Sequence, residues 1–300
     1  MSKIENFTVI IGAMKCGTTS LFRYLSQHPQ VCGNASNKET MFFSRSTWES
    51  GLEGYLKLWD SYDHAIHKTA LESSTEYTKF PTFPDVAERI YIFSQKYNVR
   101  FKFLYIVRNP MDMIASGLRH SYYQGWHSGD KQVALNQLVE VADFSRQISK
   151  YYDKFPADDI LILPFADLIE NPLATMNQIS IFLDIDNFYE YKGLNAVFNS
   201  GSAREQRQKQ NDLRDNMSRI KPVKYAARLL PRSWKRRLLP LVQRLSDKSM
   251  PGAKSRHEEA WVMDEEDRRF VIEKLQPGLI RLQEEFKIDI TRWSNSFLEN

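Results

Sequence analysis

The sequence predicts an α/β fold: a central parallel β-sheet flanked by helices on both faces, in a single domain over residues 1–300. Three observations predict it. Apolar runs of strand length recur at residues 7–11, 68–71, 101–107 and 160–163. Helical stretches alternate with them, the pattern of a parallel sheet with crossover helices. No Gly/Ser/Pro-rich linker, low-complexity run or internal repeat divides the 300 residues, a length sufficient for one large domain.

The first run, FTVII, is β-branched and stops at Gly12, as suits a strand covered on both faces. A turn through Lys15, Cys16 and Gly17 follows, and a helix opens near Thr18. Ser20, Leu21, Tyr24 and Leu25 keep helical spacing until Pro29 forbids continuation. The N–H groups of Gly17, Thr18 and Thr19 then stand at a helix N-terminus without intrahelical acceptors. Together with the positive end of the helix dipole they attract an anion, so the segment reads as a phosphate cradle. Lys15 can set its ammonium on that anion, Thr18 and Thr19 add hydroxyls, and Gly17 lets the backbone approach without a Cβ.

Gly12 and Gly17 have the spacing of the nucleotide loop GxxxxGK[ST], but Thr18 stands where its lysine belongs and the lysine is at position 15. A magnesium–nucleotide site also needs a carboxylate at the end of a neighbouring strand, whereas residues 101–107 run into Arg108, Asn109 and Pro110. The pattern suits a phosphate-bearing donor held by N–H groups, hydroxyls and lysine, with no metal required. Arg108 closes that strand, and its planar fork suits bidentate phosphate recognition. With Pro110 in the first turn of the next helix, Ser116 lies about two turns along it, so that one phosphate can touch both.

Taken in order, MKCGTTSL (14–21), NKETMFF (37–43), LESSTEY (71–77), YIVRNPMDMIASGLRHSYY (105–123) and PFADLIENP (164–172) resemble segments of the sulfotransferases that use 3′-phosphoadenosine 5′-phosphosulfate (PAPS). The likeness is to the bacterial and heparan-sulfate branches and spans most of the chain. It implies a P-loop-like domain that transfers a sulfuryl group from PAPS, leaving PAP, to a hydroxyl or amine of a carbohydrate, glycolipid or small-molecule acceptor. It implies that Lys15, Cys16, Gly17, Thr18, Thr19 and Ser20 hold the 5′-phosphosulfate and that Arg108 and Ser116 hold the 3′-phosphate. Ser200, Gly201 and Arg204 fall where a late loop closes over that 3′-phosphate. Glu39 is implied as the general base, with Lys15 and Lys38 completing the catalytic set. Lys38 would ion-pair with Glu39 if the side chains met, so it is expected to point at the sulfate or the bridging oxygen instead. Where the heparan-sulfate pattern often has histidine two residues after the glutamate, this chain has Met41. Glu72 and Tyr77 resemble acceptor-side residues.

Small-molecule sulfotransferases use a histidine base, but the six histidines here read as structural. His28, before Pro29 at a helix end, reads as a dipole partner. His64 and His67 lie in a polar linker, His120 shares a helical face with Ser116, and His127 and His257 have no evident partner. Trp48, Tyr55, Trp59, Tyr77, Tyr122, Tyr123 and Trp126 flank the motifs. Core packing is the first reading of each and an acceptor-cleft wall the second.

The net charge of +4 hides an asymmetry: residues 204–256 carry sixteen Lys or Arg against four Asp or Glu, so this stretch is +12 and the remainder −8. It reads as a basic helical segment of the domain, solvated beside the PAPS site or facing an anionic or membrane-associated acceptor. Within it residues 223–245 interleave apolar and basic residues like an interfacial helix, cut by Pro231 and Pro240. No nucleic acid partner is expected, since no recognition fold accompanies the charge. The N-terminal stretch has neither a long apolar region nor a basic leader, and two cysteines make no disulfide framework. A cytoplasmic protein without a transmembrane segment is expected; oligomeric state leaves no signature. Two other readings stand beside the transferase: a P-loop nucleotide kinase, from the glycine spacing, and a non-catalytic polyanion- or membrane-binding protein, from the basic stretch.

Overall fold

The computed structural model describes residues 4–34, 38–194 and 260–293. The described elements fall in one compact unit drawn from Met1–Phe198 and Trp261–Asn300. Five strands form a sheet: β1 (Asn6–Gly12), β2 (Val31–Gly33), β3 (Thr69–Ser73), β4 (Arg100–Val107) and β5 (Ile160–Pro164). Their order is β2-β3-β1-β4-β5, and every neighbouring pair is parallel. The four strand-like runs of the sequence are four of these strands. β2 escaped notice because three residues, one of them glycine, carry no periodicity.

Helices surround the sheet: α1 (Thr18–Leu25), α2 (Gly51–Leu56), α3 (Val86–Tyr97), α4 (Pro110–Gln124), α5 (Lys131–Ala142), α6 (Phe144–Tyr152), α7 (Phe165–Glu170), α8 (Pro172–Leu183) and α9 (Glu265–Glu284). Local chemistry fixes their ends. Asn109 caps α4 by accepting the Met111 N–H, Pro110 fills the first position, and Gly125 ends the helix at φ +66°. Asp264 and Asp267 form a reciprocal capping box on α9, and Lys131 of α5 ion-pairs with both, tying the last helix to the body. Among the described residues no helix is long and apolar enough to cross a membrane.

β1 is buried along all but its first residue, as a central strand covered on both faces must be. Phe7 anchors an aromatic cluster, with ring centroids 4.9 Å from Tyr55, 5.4 Å from Trp59 and 5.2 Å from Phe101. Phe43 lies 5.2 Å from Phe93 and 5.8 Å from Phe101. Tyr55, Trp59 and Tyr77 are therefore core, not cleft wall. His28 also departs from expectation. Its Nδ1 accepts the Gln30 N–H at 3.1 Å, which leaves Nε2 to donate to the Asp186 carbonyl at 2.9 Å. The ring is buried and bridges two loops rather than facing the end of α1.

Phe101 is 1 % exposed and packs against the rings of Phe7, Phe43, Tyr55, Phe93 and Phe103, so Phe101→Ala is expected to lower stability by about 3–5 kcal/mol. Urea unfolding followed by far-UV circular dichroism measures this. Both cysteines are buried and free. Burial pushes the Cys16 thiol up to about 12, outweighing the nearby charges of Arg108 and Lys15, and burial raises Cys32 as well. Because the thiolate is the reactive form, iodoacetamide at pH 8 should leave Cys16 unmodified in the folded protein and alkylate it in denaturant. Mass spectrometry reads the outcome.

Candidate active site

The cradle starts where β1 ends. The Ala13 N–H donates to the Ile106 carbonyl on β4 at 2.8 Å, fastening the loop to the neighbouring strand. Lys15 at φ +66° and Gly17 at φ +91° are both left-handed and wind the chain tightly into α1. Left-handed backbone is strained at a lysine, and such strain gathers at ligand-binding loops. The Cys16 N–H is used within the turn, donating to Ala13 O at 3.2 Å. Those of Ser20 and Leu21 donate to Gly17 O at 2.9 and 3.1 Å. The Gly17, Thr18 and Thr19 N–H groups have no acceptor among the described residues, and no side chain caps the helix. The anticipated trio is therefore available to an anion. Cys16 contributes packing, its sulfur facing the core and the Met14 carbonyl.

Arg108 follows directly on β4. Its guanidinium lies 5.0 Å from the centre of the Phe165 ring and pairs with Asp112 Oδ2 at 3.2 Å. The same ring backs the cradle, for a Cβ on Gly17 would stand 2.7 Å from Phe165 Cε2. One phenylalanine at the start of α7 thus touches both halves of the expected phosphate machinery, at the ends of adjacent parallel strands. Ser116 is half-buried on α4, and its hydroxyl has no partner among the described residues.

The segment bearing Glu39 crosses the end of β3, where the Ser73 N–H donates to Lys38 O at 3.1 Å. Lys38 Nζ meets Glu39 Oε1 at 2.9 Å and reaches Thr18 Oγ1 at 3.4 Å. The expectation that Lys38 avoids Glu39 is thus corrected: both side chains turn toward the start of α1, and one ammonium serves a carboxylate and a hydroxyl there. Thr75 Oγ1 donates to the other carboxylate oxygen, Oε2, at 3.2 Å. Glu39 remains partly open, with 31 % of its side chain exposed.

Glu72 corrects a second expectation. It is fully buried, so it cannot contact an acceptor. Its carboxylate receives hydroxyls from Tyr55 at 2.7 Å, Ser74 at 3.1 Å, Tyr77 at 3.3 Å, and also Thr40. Burial raises its pKa, and these four hydrogen bonds oppose that shift. Nearby, Glu76 is held by Ser44 Oγ at 2.7 Å and Arg45 at 2.6 Å. Lys79 is half-buried, and its ammonium has no hydrogen-bond or ion-pair partner among the described residues. Burial lowers its pKa, while the charges of Glu76 and Glu39 work the other way.

Lys79, Thr75 and Phe165 went unremarked in the sequence. Thr75 and Phe165 lie inside segments that carry the resemblance, but nothing in their spacing shows what they face. Trp126 is exposed and stands 4.9 Å from the His120 ring, and Tyr122 lies 5.7 Å from Trp261, so the aromatics at the end of α4 pack on one another. Ser200, Gly201, Arg204 and the basic stretch 204–256 lie outside the described residues.

This edge can therefore hold an anion at the α1 N-terminus, engage a second one at Arg108, and present a carboxylate beside the first. Over 209 residues the chain is 23 % identical to the bifunctional heparan sulfate N-deacetylase/N-sulfotransferase 2 of Homo sapiens, covering 61 % of this chain and 22 % of that protein. The corresponding enzyme 4 of Mus musculus is 21 % identical over 204 residues, 61 % of this chain and 23 % of its own length. The match thus spans less than a quarter of these curated relatives. A crystal structure of a sulfotransferase from Alicyclobacillus acidocaldarius shares the fold, with a TM-score of 0.62 at 18 % identity over 98 % of this chain and 99 % of that one. Residues 6–250 match the family model of the sulfotransferase domain, and the chain belongs to that family.

Proposed function

We propose that this chain transfers a sulfuryl group from PAPS to a hydroxyl or amine, with Glu39 as the general base. The observation that carries the reading is the shared Phe165 ring: it backs the cradle at Gly17 and the guanidinium of Arg108, as one ligand with two phosphate-bearing ends requires. The residues fit such a donor. Three unsatisfied N–H groups and the Thr19 hydroxyl suit the 5′-phosphosulfate, and the Arg108 fork with the Ser116 hydroxyl suits the 3′-phosphate. PAPS, when bound, supplies the sulfuryl group and departs as PAP.

The roles of the side chains follow from charge. Negative charge grows on the oxygen that bridges sulfur and phosphorus as the group leaves, and Lys15 and Lys38 flank the cradle to oppose it. The acceptor oxygen or nitrogen must give up a proton to attack, and Glu39, fixed by Lys38 and Thr75, is the carboxylate next to the cradle. Lys79 adds positive charge near Glu39, which favours an anionic acceptor. The relatives named as heparan sulfate N-sulfotransferases support the same class, an acidic carbohydrate.

Incubation with radiolabelled PAPS and a panel of sugars, acidic polysaccharides, lipids and phenols tests the reading; absence of both PAP binding and PAP release overturns it. In calorimetry with PAP, Lys15→Ala and Arg108→Ala should each weaken binding by about 1.5–3 kcal/mol, the value of a charged hydrogen bond. Glu39→Gln should bind PAP as the parent does and turn over roughly 10²–10⁴-fold more slowly. Full turnover in that variant removes Glu39 from the chemistry.

A further inference from the structure

We infer that Glu72 is the positioning residue of the loop that carries Glu39, acting through hydroxyls whose donor direction it dictates. The inference rests on the reading of Glu39 as base. Glu72 lies in β3, opposite Val9 of the central strand, and no cation pairs with it among the described residues. An ionised carboxylate only accepts hydrogen bonds, so every hydroxyl that meets it must donate. A hydroxyl has one proton. Once that proton is given to Glu72, its oxygen can only accept, and three of the four hydroxyls accept a backbone N–H from the turn after Glu39. Ser74 Oγ takes the Met41 N–H at 3.0 Å, Thr40 Oγ1 takes that of Phe42 at 3.3 Å, and Tyr77 OH takes that of Phe43 at 3.1 Å.

Three consecutive amides are thus wired, each through one hydroxyl, to a single buried charge. The turn they hold is strained, because Met41 sits at φ +54°, a left-handed conformation that an unbranched non-glycine residue adopts only under constraint. Two arms run from Glu72 to Glu39. Thr40 is its neighbour in the chain, and Ser74 precedes Thr75, which donates to Glu39 Oε2. The groups facing Glu72 are Tyr55 from α2, Tyr77, and Tyr151 from α6 at longer range. Glu72 touches no reacting atom. It fixes where Glu39 can stand.

Glu72→Gln tests this, since an amide nitrogen donates where a carboxylate oxygen accepts: a hydroxyl facing it must turn its proton away, and at Thr40, Ser74 or Tyr77 that loosens the backbone N–H the hydroxyl holds. PAP affinity should stay within about twofold of the parent, turnover should fall about 10²-fold from misplacement of the base, and hydrogen exchange of the Met41, Phe42 and Phe43 amides should accelerate. Glu39→Gln, measured in parallel, should lose turnover and leave that exchange unchanged. Glu39→Gln with full turnover beside Glu72→Gln with loosened amides rejects the base while upholding the anchoring of the loop. Parent-like turnover and exchange in Glu72→Gln overturn the inference. Should Glu72→Gln fail to fold, Thr40→Ser keeps the relay and Thr40→Val removes it: a parent-like rate in the first and loss in the second, with PAP binding intact in both, supports the role. Equal rates in the two variants overturn it.

Discussion

The parallel pairing of β1 with both β3 and β4 is the constraint on which the site depends. Strands that run the same way deliver their C-terminal ends to one edge, and here those ends are Gly12, Ser73 and Val107. Gly12 leads into the cradle, Ser73 is bonded to the backbone of Lys38, and Val107 hands the chain to Arg108. Three functions distant in sequence become neighbours because the sheet permits no other arrangement, as is usual for open α/β sheets that bind ligands at this edge. β5 adds the fourth contribution, for it ends at the turn that presents Phe165.

Two kinds of interior meet behind that edge. One is apolar: the rings of Phe7, Phe43, Tyr55, Phe93 and Phe101 interlock and supply stability by burial. The other is the charge of Glu72 among hydroxyls. Burying an ion is costly, and the rise in its pKa expresses that cost, which the four hydroxyl donors offset in part. Tyr55 belongs to both, its ring packed against Phe7 and its hydroxyl donating to Glu72. The aromatic core therefore also orients the polar network.

Much of this was legible in the sequence where the signal is local. A β-branched run ending in glycine and a helix beginning at Thr18 gave the cradle, and Pro110 after Arg108 gave the capped helix that carries Ser116. Glu39 was legible only by resemblance, since a charged loop has no spacing that marks a base. What could not be read depends on which strands become neighbours. The Lys38–Glu39 pair, the burial of Glu72 and the bridging position of Phe165 all follow from the order β3-β1-β4-β5, and no periodicity records strand order. His28 misled for a related reason: a helix end suggests a dipole, whereas its actual partner is the distant carbonyl of Asp186.

Gly17 carries a consequence beyond ligand binding. Its missing side chain leaves the space that the Phe165 ring fills, and its φ of +91° would in any case strain another residue. Flatness at one position and bulk at the other are halves of a single fit, so two sites far apart along the chain are not free to drift independently. In a lineage of such domains a smaller residue at the second position would open a void under the arginine, and regaining volume from the first would meet the backbone's handedness. Substitution histories at these two sites should therefore read as one.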